Sequence, residues 1–258
     1  MIYQTHPVAT SDYIFDSGLY PWHSPRYVLE AYDSLIQTFN DQALGSKDFE
    51  KAREARLVAI SLLGIHELTK RHYLMQVSRE NSPDIVTMFR AELKGMPVHG
   101  FFQEVEVVSF DKISPETDVV EFLKRTKLSP KYSYDNKTII LCEVKRDMRL
   151  PPYETIHTRL KELNPLPTVI IIGKISPEKL IYKICQIWPT LDLLTDIDVF
   201  ELANKYPSPH NLQLTKGSDH QIKYGKRVAG KPGYFEVFGL DEIKLKKKYK
   251  VEETRSFG

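Results

Sequence analysis

One apolar stretch limits the folds open to this chain more than any other. Residues Thr138 to Lys145 read Thr-Ile-Ile-Leu-Cys-Glu-Val-Lys, a β-branched run that predicts a strand. Because strand side chains alternate between two faces, Glu143 and Lys145 point the same way, and Ile140, Cys142 and Val144 point the other way. So apolar a strand is expected to be buried, and a buried charge pair is costly unless it is paired, hydrogen-bonded or bound to a metal. The two charges therefore call for an explanation.

The elements that follow this strand predict an α/β fold. A helix is predicted from about Tyr153 to Leu163, and the apolar run Val169 to Gly173 predicts the next strand. Strand, helix and buried strand in succession indicate a parallel crossover. Beyond it we expect a helix from about Pro177 to Ile187, a short strand from Leu191 to Thr195, and a helix from Asp196 to Tyr206 with Thr195 as its N-cap.

The N-terminal part is predicted to be helical after an irregular arm. Ser24 and Pro25 fit a helix start, and apolar residues recur at helical spacing from there to Asn40. A longer helix is expected from about Lys47 to Met75, and Leu57, Ile60, Leu63, Gly64 and Leu68 share one of its faces. Glu67 falls on that apolar arc, so its carboxylate is expected to point toward the core.

Two strands are predicted between the long helix and the Glu143 strand. The runs Asp84 to Leu93 and Phe101 to Phe110 are separated by turn residues and could form the first hairpin of the sheet. An insertion from roughly Asp111 to Lys137 includes a short helix from Pro115 to Thr126. We expect this insertion at the edge of the sheet or near a substrate.

Composition narrows the class of protein without choosing a function. The chain has 258 residues, of which 41% are hydrophobic, enough for a substantial core. Its 36 basic and 34 acidic residues give a net charge of +2, which argues neither for nor against a polyanionic partner. Cys142 and Cys185 fit neither a disulfide framework nor a zinc cluster, so we expect a reducing compartment. Without an apolar run of about 20 residues or a leader-like start, a cytoplasmic protein with no membrane partner is expected.

The order helix, strand, strand, strand with Glu143-Val144-Lys145, helix, strand resembles the PD-(D/E)XK nuclease superfamily, which has the restriction-endonuclease-like fold. Members of that family carry an acidic residue in or before the second core strand and an acidic-X-Lys triplet in the third, often with a Glu on the preceding helix. Here Glu143-Val144-Lys145 matches the triplet, Pro83-Asp84 matches the Pro-Asp pair, and Glu67 takes the place of the helical Glu. The stretch from Leu194 to Phe200 is similar to the closing segment of many members. The resemblance covers roughly residues 50 to 205 and implies a mixed sheet flanked by helices.

The spacing departs from the family pattern at one point. About sixty residues separate Asp84 from Glu143, and a whole strand is predicted between them. If Asp84 begins the first core strand, the second-strand acid has to come from Glu104 or Glu106, which share a face. We favour Glu106 over Asp84, because Glu106 lies deeper in the run that should pair near the Glu143 strand.

The resemblance implies an Mg²⁺-dependent endonuclease that hydrolyses DNA phosphodiester bonds. Mg²⁺ (or Mn²⁺) would be held by Glu143 with Glu106 or Asp84, and would stabilise phosphoryl charge and activate a water. Lys145 would stabilise the same charge or help to position and deprotonate that water. Glu67 would join the metal's outer shell through a water. The expected partner is DNA, and cutting both strands favours a homodimer or a partner subunit.

Each of these residues has a structural alternative. Glu143 and Lys145 could be a plain ion pair, and Glu67 could be satisfied by Arg71 one turn on. Asp84 could serve the turn after Pro83, and Glu104 and Glu106 could mark the solvated face of an amphipathic strand. The leading alternative function is a non-catalytic nucleic-acid-binding or assembly protein on the same fold. A third is an interaction protein of a different α/β fold.

The C-terminal segment is basic and aromatic. Two clusters stand out, with members Lys226, Arg227, Lys246, Lys247 and Lys248. Such residues suit contacts to a nucleic-acid backbone, although an edge hairpin protected by lysines fits equally. We therefore expect a helical N-terminal extension over residues 1–46, a nuclease-like core over 47–206 and a small basic C-terminal appendage over 207–258.

Overall fold

The computed structural model describes residues 13–16, 22–39, 45, 49–77, 83–91, 99–145, 148–176, 178–206, 211–214, 223–227, 234–236 and 251–254. These residues form five helices and a mixed sheet, which confirms the predicted α/β class. None of the described helices combines the length and apolar character that crossing a bilayer requires. The chain forms two compact units. The first unit comprises Met1–Ala59, Arg71–Glu104 and Tyr206–Gly258, and the second comprises Ile60–Lys70 and Val105–Lys205. The predicted division at residues 46 and 206 stays a prediction.

In the first unit, helix α1 (Pro25–Thr38) begins where the sequence predicts. The Ser24 hydroxyl accepts a hydrogen bond from the backbone N–H of Tyr27 at 3.1 Å, and Pro25 occupies the first helical position, where its missing N–H costs nothing. The helix buries Pro25 and Leu29 and ends at Thr38, close to the expected Asn40.

The strands of the first unit are antiparallel where their pairing is defined. Strand β3 (Tyr73–Val77) pairs with β4 (Ile85–Ala91) and with the short β2 (Trp22–His23), which pairs with β10 (Asn211–Leu214). The remaining strands of this unit are β1 (Tyr13–Asp16), β11 (Lys223–Arg227), β12 (Tyr234–Glu236) and β13 (Val251–Thr254). Strand β12 pairs with the beginning of β5 (His99–Phe110).

Helix α2 (Glu50–Thr69) ends six residues before the predicted Met75. Lys70 adopts a left-handed conformation, with φ of 57°, and its N–H donates to the His66 carbonyl, so the helix cannot continue. Tyr73, Leu74 and Met75 belong to β3 instead, a strand that the sequence does not predict. The apolar arc is only part of the buried surface, because every residue from Leu57 to Ile65 is buried and Leu68, in the last turn, is exposed.

The second unit contains the sheet that carries Glu143. Its strands run in the order β5, β6 (Thr138–Val144), β7 (Thr168–Lys174), β8 (Ile181–Trp188) and β9 (Asp192–Asp198). Strands β6 and β7 are parallel and are joined by helix α4 (Tyr153–Leu163), which confirms the predicted crossover. Strands β8 and β9 continue the sheet antiparallel, and helix α5 (Val199–Lys205) follows β9.

Helices cover both faces of this sheet. One face packs Ile140, Cys142 and Val144 against α4 and helix α3 (Val119–Thr126), which Asp118 caps. On the other face lie Ile184 and Ile197, close to Gly64 of α2. The insertion that carries α3 therefore covers a sheet face, and the expected position at the sheet edge is wrong for the helix.

Two further expectations are wrong in the last third of the chain. The segment predicted as a helix from Pro177 to Ile187 forms strand β8, because Ile184 pairs with both β7 and β9 and, like Ile187, is buried in the sheet. Thr195 is not a helix cap, since β9 runs on to Asp198 and the Asp198 carboxylate accepts from the N–H of Glu201 at 3.0 Å. Asp198 thus takes the capping role at α5.

The two cysteines occupy one row of the sheet. Cys142 is the Cα partner of Ile171, and Ile171 is the Cα partner of Cys185. Two strand spacings of about 4.8 Å separate the cysteines, beyond the Cα distance that a disulfide spans. Both thiols are free and buried, which agrees with the expectation that they form no disulfide.

Candidate active site

Glu143 and Lys145 meet at the end of β6, on the face that strand alternation assigns to them. The Lys145 ammonium donates a hydrogen bond to Glu143 Oε2, and the Ser109 hydroxyl donates to the same oxygen at 2.8 Å. Of the described residues, none donates to Oε1 of Glu143. The side chain of Glu143 is 16% exposed and that of Lys145 is 44% exposed, so the pair lies at the boundary between core and solvent.

The backbone places this pair where several strands end. The N–H of Lys145 donates to the carbonyl of Phe110, the last residue of β5, at 2.9 Å. Val144, the last residue of β6, is the partner of Gly173 near the end of the parallel β7. Strands β5, β6 and β7 therefore end at one edge of the sheet. Crevices beyond the carboxyl ends of parallel strands are common ligand sites in α/β proteins.

Glu106 lies on the opposite face of the sheet from Glu143. Ser109 contacts Glu143, and Glu106 is an odd number of residues from Ser109 along an extended strand. Val108 and Phe110, which alternate with Ser109, pack with the cluster under α3 and α4. The carboxylate of Glu106 accepts from the ammonium of Lys127, just after α3, at 2.6 Å. Within the second unit, Glu106 is thus not brought together with Glu143.

The idea that Glu104 and Glu106 mark a solvated strand face is wrong. Glu106 is 2% exposed and Glu104 is 9% exposed, because β5 is a central strand with both faces covered. An ionised carboxylate in such a place needs a partner. Lys127 supplies one to Glu106.

Asp84 belongs to the first unit and lies in a cluster of three charged groups. The Lys51 ammonium is 2.5 Å from Asp84 Oδ1 and 3.3 Å from Glu54 Oε2. Burial raises the pKa of the Glu54 carboxyl to about 7, and the negative charge of Asp84 acts in the same direction. Burial alone would lower the pKa of Lys51, but its hydrogen bond and charge interaction with Asp84 outweigh that effect and raise it. The cluster therefore places the buried Glu54 carboxyl beside the Asp84–Lys51 ion pair.

The Asp84 and Glu54 carboxylates fit a divalent cation. Oε2 of Glu54 is buried and makes no hydrogen bond, because its approach to Lys51 lies outside hydrogen-bonding geometry. Mg²⁺ favours oxygen ligands and is commonly bound by one or two carboxylates, with water and substrate phosphate completing its shell. No three His, Cys, Asp or Glu side chains gather into a metal-binding group within the described ranges. Two carboxylates are thus the largest acidic donor set found around Asp84.

Glu67 does not point toward the core, contrary to expectation. Its side chain is 47% exposed, and its carboxylate lies 3.2 Å from the Lys70 ammonium, not against Arg71. The reason is the early end of α2, which leaves the last helical turn at the surface. The acid on this helix that is held near Asp84 is Glu54, which the sequence reading missed. At 100° per residue, Glu54 shares an arc with Val58, Ser61 and Ile65, and that arc was the available signal.

The proposed nucleic-acid contacts are placed only in part. Lys226 and Arg227 lie in β11, where they are the Cα partners of Glu236 and Phe235 in an antiparallel pair. Lys246, Lys247 and Lys248 lie outside the described residues. The first cluster is therefore in a strand pair, as the edge-hairpin alternative requires and as a nucleic-acid surface allows.

The chain was compared with family models, with curated proteins and with solved structures, and no match was found in any of the three.

Proposed function

We propose that this chain is a metal-dependent nuclease that hydrolyses DNA phosphodiester bonds on a restriction-endonuclease-like fold. The observation that carries the proposal is the Glu143–Lys145 pair, held by Ser109 at the edge where β5, β6 and β7 end. The parallel β6–α4–β7 crossover directly after the pair supports the fold assignment. A partly exposed ammonium group held by a carboxylate is suited to stabilise negative charge on the oxygens of a phosphodiester.

Each residue has a distinct role in this proposal. Lys145 is the more exposed member of its pair, and its ammonium stabilises charge on the phosphoryl oxygens or positions the attacking water. Glu143 holds that ammonium in place and keeps Oε1 available to a metal or a water. A bound Mg²⁺ would supply charge stabilisation and a more acidic water. Glu143, through Oε1, is the proposed ligand for it at this site, and Glu106, which is engaged by Lys127, is the weaker candidate. Asp84 and Glu54 form a separate acidic pair in the first unit and are proposed to bind a divalent cation there.

Cleavage of supercoiled plasmid and of single-stranded DNA tests the proposed activity. We expect cutting with Mg²⁺ or Mn²⁺ and none with EDTA, and a loss of at least about 100-fold in Glu143→Ala and in Lys145→Ala. The matched controls are Glu201→Ala and Lys205→Ala, which break an exposed Glu–Lys pair on α5 in the same unit. Wild-type cutting by Lys145→Ala, or equal losses in the controls, would contradict the assignment.

Metal binding is tested separately from activity. Because a ligand that binds only the folded state stabilises it, Mg²⁺ should raise the unfolding temperature of the wild type. Asp84→Asn and Glu54→Gln should remove most of that shift, whereas Glu30→Gln on α1 should keep it. A shift that both variants retain would exclude this pair as the metal site and leave the role of Glu143 and Lys145 to the cleavage assay.

A second candidate is a nucleic-acid-binding or assembly protein that has the same fold but no turnover. The pairing of Glu106 with Lys127 favours it, because a carboxylate neutralised by a lysine on the opposite face from Glu143 does not serve the site of Glu143. DNA that stays intact while binding persists would select this candidate. A homodimer or a partner subunit remains part of the nuclease proposal, since two strands have to be cut.

A further inference from the structure

Two stacked tyrosines lie in the connection between α3 and β6. The ring centroids of Tyr132 and Tyr134 are 5.4 Å apart, and their planes differ by 8°. Tyr134 packs against the core cluster under α3 and α4, whereas Tyr132 is 38% exposed. The inner ring is thus fixed by the core, and the outer ring is presented to solvent on top of it.

A lysine lies over the exposed ring. The ammonium of Lys131 is 4.8 Å from the ring centroid of Tyr132, a cation–π geometry. Within the described part of the chain, no carboxylate is paired with Lys131. The neighbouring Lys127 is engaged by Glu106, so Lys131 is the cation at this place that could transfer to a phosphate.

The segment around the two rings is held in shape by short-range hydrogen bonds. The N–H of Tyr132 donates to the Ser129 carbonyl at 3.0 Å. The carboxylate of Asp135 accepts from the N–H of Lys137 at 2.8 Å, so the one acidic residue between Lys127 and Lys137 serves the turn. Lys127 is paired with Glu106 and Lys137 is buried, so the exposed Lys131 supplies the positive charge beside the rings. A fixed aromatic face beside a lysine loses little entropy when it binds a flat, anionic ligand.

We propose that Tyr132, Tyr134 and Lys131 form a stacking platform for a base of single-stranded nucleic acid. An unpaired base stacks on the Tyr132 ring, while Lys131 leaves that ring and contacts the adjacent phosphate. Single-stranded nucleic acids are commonly bound by such a combination of aromatic faces and basic side chains. A duplex hides its base faces in the stack, so the platform selects unpaired strands.

This site is distinct from the proposed catalytic pair. The platform precedes β6 and Tyr134 packs on the α3 and α4 side, whereas Glu143 is at the far end of β6 on the other face. Glu143 is five residues beyond the start of β6, so roughly 16 Å of strand, at about 3.3 Å per residue, separates it from that start, and the platform lies before it. The platform can therefore bind whether or not Glu143 and Lys145 cleave.

Fluorescence anisotropy of a labelled dT15 oligonucleotide, of rU15 and of a 15-base-pair duplex tests the platform in the full-length chain without metal. Tyr132→Ala is expected to weaken dT15 or rU15 binding by about 5- to 50-fold, while Tyr132→Phe stays within about 2-fold of wild type. Lys131→Ala is expected to reduce the slope of log K against log salt by about 0.7. Duplex binding should be unchanged by Tyr132→Ala.

The matched controls are Phe200→Ala, which removes another exposed aromatic ring, and Lys161→Ala, which removes an exposed lysine on α4. Tyr132→Trp provides a reading independent of affinity, because stacking of a base should quench the fluorescence of the introduced indole relative to the wild-type background. The proposal is overturned if Tyr132→Ala binds dT15 as tightly as the wild type does, or if Phe200→Ala loses as much affinity as Tyr132→Ala. It is also overturned if Tyr132→Ala loses as much affinity for the duplex as for dT15. A last contradicting result would be that dT15 leaves the indole fluorescence of the Tyr132→Trp variant unchanged. The assay contains no metal and measures binding without cleavage, which separates this proposal from the nuclease assignment.

Discussion

Glu54 is a carboxyl whose surroundings disfavour its charged form. Its carboxyl has a pKa of about 7 in the folded protein against an ordinary value of 4.5, because it is buried beside Asp84. The folded state therefore holds more protons than the unfolded state between pH 4.5 and 7. Its contribution to stability is fully present below about pH 4.5 and is lost as the pH rises through 7.

Glu54→Gln should stabilise the protein in a pH-dependent way. Above pH 7 the variant no longer carries the buried charge, and we expect the free energy of unfolding to rise by about 1–2 kcal/mol, after a discount for partial solvent screening. At pH 4.5 the difference should nearly vanish. Urea unfolding at pH 4.5 and pH 8 measures both values.

Glu30→Gln on α1 is the control for that experiment, since Glu30 is exposed and paired with Arg26. Its effect should stay within about 0.5 kcal/mol at both pH values. A Glu54→Gln variant that is less stable than the wild type at pH 8 would show that the Lys51 interaction outweighs the cost of burial.

Lys70 gives a second test at the residue scale, because a left-handed conformation suits glycine better than lysine. Lys70→Gly should raise the free energy of unfolding by about 0.5–1 kcal/mol. Lys70→Ala keeps the strained Cβ and should change little. Equal effects of both substitutions in chemical denaturation would mean that the exposed Glu67 pair, not the backbone, determines the outcome.

At the scale of elements, Gly64 fixes how closely α2 approaches the sheet. A Cβ at this position would lie 2.6 Å from Cδ1 and 2.9 Å from Cγ1 of Ile197, closer than real contacts. Gly64→Ala gains about 1 kcal/mol of helix propensity but overpacks the core at a cost of about 1–3 kcal/mol. We expect a net destabilisation of about 1 kcal/mol in thermal or urea unfolding.

A compensating substitution makes the Gly64 prediction sharper. Ile197→Val removes Cδ1, so the double variant should be more stable than Gly64→Ala alone. Gly173→Ala is the matched control, because its Cβ would meet only Val144, at the ordinary distance of 3.4 Å. If the double variant is less stable by the sum of both single losses, the close approach is not the cause.

The elements also show where sequence patterns are informative and where they mislead. The α1 start and the parallel crossover followed from local signals, a Ser-Pro cap and two β-branched runs around a helix. Strand β8 was misread because its apolar Ile181, Ile184, Cys185 and Trp188 repeat with the helical spacing of 3, 4 and 7. In the structure these residues do not share one face, because Ile184 lies near Gly64 of α2 whereas Cys185 belongs to the cluster under α3 and α4. A strand that is buried on both faces thus imitates the period of a helix.

The candidate site could be predicted from the sequence only as far as local alternation reaches. Glu143 and Lys145 are two residues apart on one strand, so their contact needed no knowledge of the fold. The side on which Glu106 lies depends on the register between β5 and β6, and the partner of Asp84 depends on how α2 packs. Neither register nor packing is encoded within a single segment. The contacts of acidic residues on separate elements are therefore the part of the site that sequence patterns predict least well.

At the scale of the whole molecule, a net charge of +2 is too small to attract DNA by itself, so DNA binding would depend on local clusters of basic residues. If Lys226 and Arg227 contact duplex phosphates, the double variant Lys226→Ala/Arg227→Ala should reduce the slope of log K against log salt by about 1–2. Filter binding of a duplex across a salt series measures this slope. The control variant Lys161→Ala/Lys179→Ala, which removes two exposed lysines elsewhere, should leave this slope unchanged. An equal decrease of the slope in both double variants would mean that the loss of any two positive charges, not of Lys226 and Arg227 in particular, causes the effect.

The row of Cys142, Ile171 and Cys185 has a practical consequence for following the folding of this protein. Burial raises the pKa of the Cys185 thiol to about 11 and raises that of Cys142 still further, so neither thiolate is present in the native state at neutral pH. Alkylating reagents react with thiolates and must wait until the sheet opens. The rate at which iodoacetamide labels the two cysteines therefore reports how often the second unit opens, and no probe has to be introduced.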